Sequence, residues 1–108
     1  MTEITFTNYH DTYILSCTGH TGFSTVGPDI LCSAVSCLCY TFDAYIQNLY
    51  DRGDTSFYQS QFNDGSVRIE FILSDTADKK PAMEAIGAIL SGFKLLWENF
   101  PDHITLDV

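Results

Sequence analysis

The chain has 108 residues, 45% of them hydrophobic and 14% aromatic, which suits one packed domain and excludes both a two-domain protein and a disordered chain. Five basic residues against 14 acidic ones give a formal net charge of −9. That balance opposes contact with nucleic-acid phosphate and favours encounter with a basic protein or peptide.

No uninterrupted apolar run approaches the roughly 20 residues that cross a bilayer. Met1-Thr2-Glu3 also lacks the basic segment that opens a secretion signal. The expectation is a cytoplasmic protein with no membrane partner, no nucleic-acid partner and no cofactor.

In chain order, residues 4–6 and 13–17 read as short strands, joined through the turn-forming Asn8-Tyr9-His10-Asp11. Three glycines within residues 19–27 predict a loop. Pro28 and Asp29 open a long helix, since a proline in the first turn gives up no bonded N–H. At about 100° per residue, Leu31, Ala34, Val35, Leu38, Cys39, Phe42, Tyr45, Ile46 and Leu49 share one arc, and residues 51–54 end the helix.

Residues 57–62 and 67–72 predict a second hairpin around Asn63-Asp64-Gly65. Residues 78–81 lead into a second helix, whose apolar face carries Ala82, Ile86, Ile89, Leu90, Phe93, Leu96, Trp97 and Phe100. Residues 103–108 alternate as a final edge strand. The expected fold is a single α+β domain over 1–108, in the order ββαββα plus a short C-terminal strand. Its two helices should pack on the apolar face of a mainly antiparallel sheet.

Four cysteines, Cys17, Cys32, Cys37 and Cys39, fall within 23 positions. Without a secretory signal they read as thiols, and Cys37 and Cys39 point apart on a helix. Cys32 falls in the first turns of the long helix, just outside the core arc, where the positive end of the macrodipole favours a thiolate. His20, on the glycine-rich loop, can fold back toward it. A thiolate beside an imidazole is the minimal nucleophile and base for acyl transfer, with helix-start N–H groups available to an oxyanion. Asp29 could orient His20 or cap the helix, and Ser36 could hydrogen-bond substrate or histidine.

Residue types alone leave other readings open. Cys32 could be a small buried hydrophobe and His20 a solvated loop residue. Cys17, His20, Cys32 and Cys37 also spell a loose Cys3His zinc pattern. Against it, Cys32 and Cys37 would stand about 140° apart on one helix. His10 and His103 are not expected in a site, and Asp11, Asp43, Asp51, Asp54 and Asp64 are expected to be solvated.

Read as a string, residues 19–36 (GHTGFSTVGPDILCSAVS) resemble the signature of the ribosomal-processing cysteine protease Prp family. That signature is a Gly-His pair, a glycine-containing loop, then Gly-x-Asp-hydrophobic-hydrophobic-Cys followed by small residues, an aliphatic residue and Ser. Thr21 departs from it, standing where alanine is frequent. The likeness extends over the hairpin before it, the long helix after it and the late Gly-Phe-Lys-Leu-Leu stretch. It implies Cys32 as nucleophile and His20 as its acid–base partner. It also implies supporting or substrate-binding places for Asp29, Ser36, Gly19, Gly22 and Gly27, with the loop from Gly19 to Gly27 reordering when substrate arrives, and no metal. The implied activity is removal of an N-terminal extension from large-subunit ribosomal protein twenty-seven, with cleavage after an aromatic residue, by a homodimer. The alternative is a non-catalytic ribosome-associated domain that binds a peptide or assists assembly.

Overall fold

β-branched threonines flank the apolar cores of the first two strands, and they suit a pleated, half-buried surface. Strands β1 (Thr2–Tyr9) and β2 (Thr12–Gly19) therefore run longer than the apolar residues alone predict, and they pair antiparallel. The structure, a computed structural model, describes residues 1–20 and 30–108. After β2 come α1 (Ile30–Asp51), the hairpin of β3 (Thr55–Asn63) and β4 (Ser66–Leu73), α2 (Lys79–Asn99) and β5 (Ile104–Asp107). The expected order ββαββα plus a terminal strand is the order found.

The strands form one sheet in the order β3-β4-β2-β1-β5. Every pairing is antiparallel except that of β5, an edge strand parallel to β1. Ile4, Leu15, Ile69, Phe71 and Ile104 are fully buried on the sheet, as are Phe42 and Ile46 of α1 and Ile86 and Phe93 of α2. Burying each such side chain contributes about 1.5–3 kcal/mol. Phe6, Tyr13, Phe42 and Phe71 meet at ring separations of 5.3–6.1 Å, joining α1 to the middle of the sheet.

The buried positions of α1 follow the expected arc, with Ala34, Leu38 and Tyr45 half-buried along its margins. Its 22 residues are long and apolar enough to cross a membrane, a property that counting uninterrupted apolar runs misses. Here that apolar face lies in the core. Asp43 corrects the expectation of a solvated carboxylate, being only 8% exposed. The Tyr58 hydroxyl of β3 donates to Asp43 Oδ1, and Gln47 Nε2 donates to Oδ2 at 3.2 Å, so the buried charge is partnered. Burial first, then the bond to Asp43, pushes the Tyr58 phenol up from its ordinary value.

Asp78 caps α2, its carboxylate accepting from the Lys80 N–H at 3.2 Å. Ala82, Ile86 and Phe93 are buried as expected, but Trp97 is 38% exposed. In the last turn the half-buried Leu96 and Phe100 take over the packing, which leaves the indole at the margin.

Candidate active site

The antiparallel register of β2 on β4 sets Thr18 opposite Ser66, and so brings the end of β2 to the β3–β4 turn. Asn63 pairs with Ser66, leaving Asp64 and Gly65 as the turn residues. The Gly19 N–H then donates to the Gly65 carbonyl at 2.8 Å. Gly19 adopts φ +96°, and a Cβ there would collide with the Met1 carbonyl, so a side chain is excluded on two counts. His20 follows directly, and its ring rests on Gly65. Its Nε2 lies 2.9 Å from the place a Cβ at Gly65 would take. Gly65 itself adopts φ +72°.

From the other side, α1 presents Cys32, Val35, Ser36 and Cys39, spaced to share one helix face. Together the end of β2, the β3–β4 turn and this face enclose an open cavity of about 210 Å³. Cys32 and His20 both stand in its wall, brought there from separate elements. Cys32 is half-buried, as its place beside the core arc predicts, while Ser36 is exposed one turn further on. Gly19 also lines the cavity. Asp29, Gly22 and Gly27 lie outside the described residues.

The cavity separates the thiols by environment. Cys17 and Cys39 are buried, and the Cys39 thiol donates to Cys17 Sγ at 3.4 Å. That hydrogen bond first, then burial, raises the Cys17 thiol far above its ordinary range, so it stays protonated and is a poor nucleophile. None of the four cysteines is in a disulfide. Cys37 is exposed and does not line the cavity. Among the described residues no three metal-ligating side chains come together, so Cys17, His20, Cys32 and Cys37 do not assemble as a zinc set.

The β3–β4 turn is the part of the site that sequence reasoning missed. Asn63, Asp64, Gly65, Ser66 and Val67 all line the cavity. The Asn-Asp-Gly string announces a turn, but only the pairing of β2 with β4 carries it to His20. That pairing joins residues about 50 positions apart in the chain.

A comparison with protein families matches residues 1–105 to the family described as cysteine protease Prp. No curated protein sequence matches the chain. Among solved structures, the essential ribosomal processing protease Prp from S. aureus with a covalently linked product peptide aligns at TM-score 0.70. That pair shares 19% identity, covering 99% of this chain and 98% of that one. SMU.848 from Streptococcus mutans aligns at TM-score 0.67 and 28% identity, covering 99% and 92%. The S. aureus protease with a substrate peptide aligns at TM-score 0.66 and 15% identity, covering 99% and 98%.

Proposed function

The chain belongs to the cysteine protease Prp family, and from that premise we propose that Cys32 is its nucleophile and His20 the acid–base partner. The observation that carries this reading is their meeting in the wall of one open cavity. The Cys32 thiolate attacks the scissile carbonyl, and the His20 imidazolium protonates the leaving amine, which leaves a thioester on Cys32. Water, deprotonated by His20, then attacks the thioester and expels the thiolate. Backbone N–H groups at the start of α1 are suited to the oxyanion of both tetrahedral intermediates. Ser36, one turn beyond Cys32, is suited to hydrogen-bond the peptide.

The substrate we propose is large-subunit ribosomal protein twenty-seven bearing an N-terminal extension. The S. aureus proteins of the same fold are ribosomal processing proteases solved with peptides. The charge of −9 also suits capture of a basic ribosomal protein. Family membership sets aside the reading in which a peptide is bound but never cut.

The test is incubation with the extended ribosomal protein of the same organism, read by intact mass. The wild type should remove the extension in one cleavage, and Cys32→Ala should remove none. His20→Ala should be slower by about 100-fold or more, the usual worth of a positioned acid–base group. Undiminished cleavage by Cys32→Ala would end the nucleophile assignment. An uncut substrate beside active wild-type protein would end the substrate assignment.

A further inference from the structure

A second cleft, of about 310 Å³, adjoins the catalytic cavity and shares Ser36, Asn63, Asp64 and Val67 with it. Its remaining walls are Tyr40 and Phe62, stacked with ring centroids 4.6 Å apart and planes 11° from parallel. Tyr40 is 59% exposed and presents an aromatic surface to water, while Phe62 beneath it packs against the core. Among the described residues, Asp64 is the one side chain with a fixed charge that lines either cavity. None of the lysines or arginines answers it, and the Met1 ammonium is held on the His20 carbonyl. Arg52 pairs with Asp54, Arg68 with Glu70 and Lys94 with Glu98, while Lys79 and Lys80 open α2.

We infer that this cleft is a substrate subsite for a basic side chain, arginine above all. The guanidinium lies flat on the outer face of the Tyr40 ring, which Phe62 backs, with its charge toward the Asp64 carboxylate. A cation over an aromatic face and a guanidinium on a carboxylate are both favourable, and arginine satisfies both at once through its planar fork. Lysine supplies the charge without the stacking plane. Citrulline, the neutral isostere of arginine, keeps the plane and loses the charge.

The inference rests on the proteolytic reading, because it takes the peptide to run past Cys32 and along α1. Tyr40 follows Cys32 by eight helical residues, an axial distance of about 12 Å. An extended peptide rises about 3.3 Å per residue. The basic residue therefore belongs within about four positions of the scissile bond.

The test uses synthetic peptides spanning the cleavage site of the extended ribosomal protein. Each of the four positions on either side is replaced in turn by arginine or by citrulline, its neutral isostere. Affinity is measured on the Cys32→Ala chain, which cannot cut, so the comparison holds whether or not the wild type cleaves the parent peptide. At one position the arginine peptide should bind about tenfold more tightly than its citrulline twin. That advantage should vanish when Asp64→Asn is added and shrink with Tyr40→Leu. Asn-Gly and Asp-Gly serve a two-residue turn alike, so Asp64→Asn keeps the turn. Equal affinity at every position, undetectable binding included, overturns the inference. So does an arginine advantage that survives Asp64→Asn. Cleavage of the parent peptide by wild type is followed separately, and its failure counts against the proposed substrate alone.

Discussion

The two hairpins of this fold end in turns of the same size and opposite consequence. Residues 10–11 close β1 on β2 and residues 64–65 close β3 on β4. Each turn holds one residue at positive φ, His10 at 55° and Gly65 at 72°. The register of β2 on β4 puts them at opposite ends of the sheet, Thr12 opposite Ile72 and Thr18 opposite Ser66. At the far end His10 is exposed, its ring edge-on to Tyr9 at 4.4 Å. At the site end the His20 ring occupies the space beside Gly65. Backbone conformation alone admits either residue, since histidine is among the side chains that tolerate this region. What demands glycine at 65 is the His20 ring packed beside it.

Gly65→Ala is the strongest way to break that contrast. The new Cβ would stand 2.9 Å from His20 Nε2, the far end of a side chain able to swing away. The fold should therefore lose only about 1–2 kcal/mol, the cost of a left-handed alanine, read from the denaturation midpoint. Cleavage should suffer far more, because displacing a reacting group by about 1 Å can cost about 100-fold. Measuring kcat/KM beside stability separates the two effects. A rate within twofold of wild type would show that Gly65 does not position His20.

Further along the same hairpin, Tyr58→Phe should reverse the pattern, costing stability and sparing chemistry. It removes a donor from buried Asp43, to which the Gln47 amide still donates. The expected loss is about 1–2 kcal/mol, with cleavage at 25 °C unchanged. The pH dependence carries a sign. The folded phenol holds its proton to higher pH than the unfolded one. Its contribution is complete below the ordinary tyrosine value of about 10 and is lost as pH rises through the raised folded value. Tyr58→Phe should remove that part of the alkaline fall in stability. An identical alkaline profile in both proteins would count against the Tyr58–Asp43 contact.

The legible parts of the molecule were those written in local periodicity. Leu31, Val35, Cys39, Phe42, Ile46 and Leu49 announce the core face of α1, and Cys32 beside that arc is half-buried as its position predicts. Asn63-Asp64-Gly65 announces a turn. Illegible were the contacts made at long range. Asp43 reads as a solvated carboxylate because its partner Tyr58 is 15 positions away on another element. Trp97 continues the apolar stripe of α2, yet it is displaced where Leu96 and Phe100 pack instead. Asp64 and Gly65 join the site only through strand order, which no local pattern encodes. Gly19, His20, Cys32 and Ser36 fall close enough in the chain to read within one string. The part contributed by β3, β4 and their turn is visible only once the sheet is assembled.

The smallest expected effect lies at the other turn and is the sharpest control on the comparison. His10→Gly relieves a left-handed side chain, worth about 1 kcal/mol. It also adds freedom to the unfolded chain, which opposes folding by about 0.5–1 kcal/mol. The two nearly cancel, so stability should move by no more than about 0.5 kcal/mol, and kcat/KM should stay at the wild-type value. A glycine turn at both ends should then differ from wild type in neither fold nor rate, although the single methyl of Gly65→Ala should cost most of the activity. If His10→Gly instead slowed cleavage several-fold, the far turn would be transmitting its conformation along β2 to His20. The two ends of the sheet would then have to be treated as one coupled unit.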